Sequence, residues 1–166
     1  PYDRRVLPTR DLVLPTRDDV ERARATIGTR LARTPVMSSR TIGARLKCEL
    51  FQRTGSFKVR GALNKLTSLD AEQKARGVIA ISAGNHAQAV AYAAAEEGVD
   101  ALVVMWQGAS EQKIEATRGY GATVDLEASV DDRTRWRCSG GRADRVRRAR
   151  ARSDERCNGE SRCDRR

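Results

Sequence analysis

The chain has 166 residues, 39% of them apolar and 33% charged, with a formal net charge of +10. That is enough for one domain with a core of its own, and no apolar run approaches the length that spans a bilayer. With no secretory signal and no disulfide-dense composition, the folded part is expected to be cytoplasmic.

The opening repeats LPTRD at Leu7–Asp11 and Leu14–Asp18. Two copies are too few for a repeat architecture, and residues 1–17 are expected to form a flexible leader. The run DDVERARATIGTRLARTP predicts a helix with Val20, Ala23, Ile27 and Leu31 on one face and Pro35 beyond its end. RLKCELFQ predicts a short strand, and SFKVRGALNKLTSL a helix capped by Ser56.

The clearest pattern follows. GVIAIS (Gly77–Ser82) is an apolar, β-rich run, the turn AGNH comes next, and AQAVAYAAAEEG predicts a strong helix that stops at Gly98. DALVVMW, SEQKIEATRGYG and ATVDLEA then read as strand, helix and strand. Continuous apolar strands alternating with helices predict an α/β fold, with right-handed crossovers and an open parallel sheet covered on both faces. In such sheets ligands bind at the carboxyl ends of the strands, the place that SAGNH (Ser82–His86) occupies. Gly84 allows close backbone approach there, and free N–H groups favour an anion such as a carboxylate. The plain alternative is an ordinary strand-to-helix turn, since glycine and asparagine are turn residues.

A second stretch stands out earlier. RTGSFKVRG (Arg53–Gly61) places Lys58 where a helix begins, next to the positive end of the helix dipole. A lysine in that position can be pushed toward its neutral, nucleophilic form, which Schiff-base chemistry needs. The plain alternative is a solvated surface lysine.

From Val130 the composition changes. Residues 131–166 hold thirteen arginines against seven acidic residues and no Leu, Ile, Phe, Met or Tyr, so six of the ten net positive charges sit there. A segment with so few large apolar residues cannot offset its chain entropy by burial, and disorder is expected over 130–166. Three of the four cysteines (Cys138, Cys157 and Cys163) lie in it without a nearby histidine, so no zinc-ligand spacing appears. The expected organisation is a leader (1–17), a folded domain (18–129) and a basic tail (130–166).

QRTGSFKVRGALNKL and GVIAISAGNHAQAVAYAA, with RTPVMSS before them and KIEATRGYGATV after, together resemble one family. It is the fold-type II pyridoxal-phosphate enzymes, in the branch of threonine ammonia-lyase (threonine dehydratase) and serine racemase. The resemblance covers residues 20–128 and implies that the folded domain is a partial catalytic domain with pyridoxal 5′-phosphate as cofactor. By position it implies that Lys58 holds the cofactor as a Schiff base, that Phe57 packs against its ring, and that Asn85 bonds its phenolic oxygen. It further implies that Ser82, Gly84, Asn85 and His86 hold the substrate carboxylate. The implied reaction is dehydration and deamination of threonine or serine to a 2-oxo acid and ammonia, which in the threonine case leads toward isoleucine. Racemases of this group look to have a second serine where this chain has Ala83, which cannot carry a proton, and SFKVRGA looks like the dehydratase form rather than that of cysteine synthase. The stretch between SSRTIGAR and LKCELFQ is shorter than the family pattern. The family's later glycine-rich phosphate loop and its partner for the pyridine nitrogen have no counterpart after Ser129, so impaired cofactor binding is expected. Two other readings remain open: a non-catalytic fragment that associates through exposed sheet edges, as homo-oligomer or with full-length subunits, and non-specific nucleic-acid binding through the arginine-rich tail.

Overall fold

A computed structural model describes residues 14–128. The expected basic tail lies outside the described residues, as does the leader except for residues 14–17. That last stretch is already the start of a helix: Thr16 caps α1 (Arg17–Ile27) through a reciprocal pair with Asp19. The Asp19 N–H donates to Thr16 Oγ1 at 3.2 Å, and the Thr16 N–H donates to the Asp19 carboxylate at 2.7 Å. Two acidic residues in the first turn complement the helix dipole. The helix ends sooner than its apolar spacing predicts. Gly28 takes a positive φ of 54°, which breaks the helical path, and Leu31 reaches the core from the chain beyond it.

Strands β1 (Val36–Ser39) and β2 (Ala44–Lys47) form an antiparallel hairpin in which Met37 faces Leu46. The strand predicted over RLKCELFQ is therefore cut at Lys47. Cys48 donates its N–H back to the Pro35 carbonyl at 3.0 Å, and Glu49–Phe51 coil into a single 3₁₀ turn. Helix α2 (Lys58–Thr67) follows, then the short α3 (Ala71–Ala75). Ser56 does not cap α2. Phe57 occupies that place in helical geometry and no side chain caps the end, while the Ser56 hydroxyl is buried without a hydrogen-bond partner among the described residues.

The predicted alternation is present as β3 (Val78–Ile81), α4 (Asn85–Glu96), β4 (Ala101–Trp106), α5 (Glu111–Gly119) and β5 (Thr123–Ala128). The three strands are parallel, in the order β3-β4-β5. Val78 pairs with Ala101 and Leu102 with Thr123. Ala101 to Met105 are all buried, so both faces of the central strand are covered, as its unbroken apolar run requires. Ala101, Val103 and Met105 share one apolar cluster with α4 and with Ile114 of α5, whereas Leu102 and Val104 stand outside it. Both crossover helices thus pack on one face, the outcome of two right-handed crossovers advancing in the same direction.

Helix α4 begins two residues before the predicted start, with Gly84 at its cap, so Asn85 and His86 belong to its first turn. It buries Ala87, Ala89, Val90, Ala91, Ala93 and Ala94. These small side chains let α2 come close on one side and strands β3 and β4 on the other. From α2, Val59, Ala62, Leu63 and Leu66 fill the joint, and full burial of Leu63 alone contributes about 1.5–3 kcal/mol. No helix among the described residues is long and apolar enough to cross a membrane.

Candidate functional site

The joint between α2 and α4 decides where the two motifs lie. At the C-terminal end of α2 the Thr67 hydroxyl donates to Glu97 Oε1 at 2.7 Å, just past the last residue of α4. Arg30 and Lys74 close on the same carboxylate at 2.5 and 2.6 Å. Hydrogen bonds from Lys74 first, then from Arg30 and Thr67, hold the Glu97 carboxyl well below its ordinary range, at about 2. With their C-termini tied and their sides packed, the two helices run in the same direction. At 1.5 Å per residue, Lys58 lies about 14 Å from the tie along α2 and Asn85 about 18 Å along α4, both at the opposite end. That end is where β3 finishes, the carboxyl edge of the parallel strands. The structure therefore brings Lys58 and the Ser82–His86 loop to the same side of the fold.

The stretch that carries Lys58 is fixed by polar contacts on both flanks. The buried Gln52 side chain accepts from the Ala32 and Arg53 N–H groups at 3.1 and 3.0 Å and donates to the Ala32 carbonyl at 2.8 Å. Glu49 meets Arg60 in a two-pronged pair with both contacts at 2.8 Å. Hydrogen bonding to Arg60 is the main reason that the Glu49 carboxyl is lowered and the Arg60 guanidinium raised. The Tyr120 hydroxyl donates to the Arg53 carbonyl at 3.1 Å, and its ring meets Tyr92 edge-on at 5.6 Å. Between these anchors Gly55 adopts a φ of 67° and closes a tight turn. Lys58 then opens α2 with its ammonium 5.2 Å from the centre of the Phe57 ring, and both side chains are exposed. The Thr54 and Ser56 hydroxyls are buried on either side of this turn and find no partner among the described residues. Buried hydroxyls normally do, so this turn holds unused hydrogen-bonding capacity beside a primary amine and an aromatic ring.

On the facing motif, the Ser82 N–H continues the sheet by donating to the Val104 carbonyl at 3.1 Å. Its hydroxyl accepts from the Gly84 N–H at 3.3 Å. The Ala87 N–H donates to the Gly84 carbonyl at 3.0 Å, while the N–H groups of Asn85 and His86 have no acceptor among the described residues. Two open donors at the start of a twelve-residue helix favour an anion. His86 also lines a groove of about 630 Å³ that runs between α2 (Gly61, Ala62, Lys65) and β3 (Val78–Ile81), the edge strand among the described residues. Lys113, in the first turn of α5, belongs to neither sequence motif. A Cβ built on Gly84 would lie 4.0 Å from Lys113 Nζ. A cation at the positive end of a helix was the signal used for Lys58, and it applies to Lys113 equally.

Residues 25–157 match the family described as pyridoxal-phosphate dependent enzyme. The chain belongs to that family. Its cofactor is pyridoxal 5′-phosphate. The match runs past residue 128, where the motif-based resemblance ends. Over 130 residues the chain is 44% identical to the serine racemase of Schizosaccharomyces pombe, covering 74% of this chain and 40% of that protein. Over 124 residues it is 46% identical to a catabolic L-threonine dehydratase of Staphylococcus aureus, strain USA300, covering 70% and 36%. Among solved structures, maize serine racemase superposes with a TM-score of 0.68 at 38% identity, covering 79% of this chain and 40% of that one. The chain thus spans between 36% and 40% of the length of these curated relatives. The Lys58 amine, the Phe57 ring, the Asn85 amide and the two open N–H donors lie on the same side of the fold, beside hydroxyls that are buried and unpaired among the described residues, a set whose chemistry suits one side of that cofactor.

Proposed function

We propose that this chain carries the lysine-bearing part of an ammonia-lyase site that dehydrates and deaminates threonine or serine to a 2-oxo acid and ammonia. The observation that carries the reading is that Lys58 and the Ser82–His86 loop lie at the same end of the packed α2 and α4 helices, where β3 finishes. Relatives named threonine dehydratase and serine racemase support an amino acid as substrate.

Lys58 would hold the cofactor, Phe57 would pack on its ring, and the Asn85 side chain would face its phenolic oxygen. Bound pyridoxal 5′-phosphate supplies an electron sink for the pair left at the substrate's Cα. The chain's own residues do the rest. The N–H groups of Asn85 and His86, with the Ser82 hydroxyl and the bare backbone of Gly84, hold the carboxylate and present Cα to Lys58. Lys58 Nζ takes the α-proton as general base, and the β-hydroxyl leaves with a proton as water. Hydrolysis returns that water, so threonine yields 2-oxobutanoate and ammonia with no outside oxidant. Ala83 favours this outcome over racemisation. Its methyl group, only 6% exposed, offers no second group to return a proton from the opposite face.

The test is to mix the purified chain with pyridoxal 5′-phosphate, reduce with borohydride and map the modified peptide. Stoichiometric modification at Lys58, absent in Lys58→Ala, is the expected result. Ammonia release from L-threonine without appearance of its Cα epimer, D-allo-threonine, separates lyase from racemase. Modification scattered over surface lysines would instead identify a fragment whose site is not assembled.

A further inference from the structure

We infer that Lys113 supplies the fixed positive charge that holds the substrate carboxylate at the Ser82–His86 loop, so that this site selects amino acids with a free carboxylate. The inference deepens the proposed function and rests on it.

Four observations converge on Lys113. Its ammonium lies 4.0 Å from where a Cβ on Gly84 would stand, so it sits against the bare face of the loop backbone. Among the described residues its side chain enters none of the ion pairs, which engage Arg22, Arg24, Arg30, Arg60, Lys74 and Arg76. It is held in place through its backbone: its N–H donates to the Ser110 carbonyl at 2.9 Å, and its own carbonyl accepts from the Thr117 hydroxyl at 2.7 Å. Finally, it occupies the first turn of α5, where the helix dipole opposes a cation, so local helix energetics do not account for a lysine there.

The loop beside it offers what a carboxylate needs and lacks what Lys113 adds. The Asn85 and His86 N–H groups are directional donors without acceptors among the described residues, yet as neutral dipoles they do not distinguish a carboxylate strongly from an amide. A half-buried ammonium a few ångströms away does, because a charge-assisted contact responds to the ligand's full negative charge. Lys113 is a positioning residue: the proton transfer remains with Lys58, and Lys113 fixes the end of the substrate that Lys58 does not touch.

The test follows the amide signals of Asn85 and His86 in the full chain during titration with L-threonine, L-threoninamide and inorganic phosphate. L-threonine is expected to shift both signals. Lys113→Gln should raise its dissociation constant by about tenfold or more, the loss expected for one charge-assisted contact, and Lys113→Arg should restore most of it. L-threoninamide should bind the parent and Lys113→Gln alike, which a general structural defect would not produce. Equal threonine affinity in parent and Lys113→Gln, or no shift in the parent, overturns the inference. So does a Lys113 dependence seen with phosphate alone. Borohydride modification at Lys58 is measured on the same Lys113→Gln sample. Its retention with unchanged threonine affinity sinks the inference only, whereas its absence from the parent sinks the proposed function.

Discussion

Replacing Glu97 with glutamine tests the joint that aligns the two motifs. Its carboxylate is 92% shielded and collects Lys74, Arg30 and Thr67, which take it from an ordinary 4.5 to about 2. A carboxyl lowered on folding adds stability that is complete above its unfolded value and disappears as pH falls through its folded value. At 1.36 kcal/mol per unit the shift corresponds to about 3 kcal/mol, and the partial exposure of Arg30 and Lys74 reduces this to about 2 kcal/mol. Urea unfolding at neutral pH should therefore show Glu97→Gln less stable by about 2 kcal/mol. The gap should narrow below pH 4.5 and close as pH falls through about 2, where the native carboxyl takes up its own proton. The reasoning is refuted by a neutral-pH difference under about 0.5 kcal/mol, or by a gap that persists undiminished at the acid end.

Leu63→Ala opens the centre of the α2–α4 joint and should cost about 2–5 kcal/mol in thermal or urea unfolding. Arg60→Ala strands the half-buried Glu49 carboxylate and should cost about 1–3 kcal/mol near neutral pH, with the loss shrinking in acid as Glu49 protonates. Gly84→Ala has room in the fold, since its backbone is extended and the nearest atom is the Lys113 ammonium at 4.0 Å. The melting temperature should hold, while carboxylate binding, read by the Asn85 and His86 amide shifts, weakens because the methyl stands between Lys113 and the loop.

The β3-to-β5 half of the fold was legible because its signals are local and redundant: unbroken apolar runs for strands, alanine-rich spacing for α4, glycine at its end. The end of α1 was not, because apolar spacing continues through Leu31 and only the positive φ adopted at Gly28 interrupts it. Ser56 has the chemistry of a cap, yet the turn at Gly55 points its hydroxyl inward and leaves Phe57 at the helix start. Of the site, Lys58 and SAGNH could be singled out, but their common location depends on the Thr67–Glu97 contact between helix ends thirty residues apart. Lys113 is not legible in the sequence because its neighbour, Gly84, is distant along the chain and no motif joins them.

The β1–β2 hairpin leaves almost every side chain exposed on both faces, and Met37, Ile42 and Leu46 are each 44–62% open, in contrast to the buried face of α4. Two strands alone are only marginally stable, so local opening here is far cheaper than opening of the sheet. Amide protons of residues 36–47 will exchange with solvent while those of Ala101–Met105 are still protected. Immediately after the hairpin, the Gln52 amide and the Glu49–Arg60 pair act as a firebreak, stopping this fraying from reaching the turn that presents Lys58.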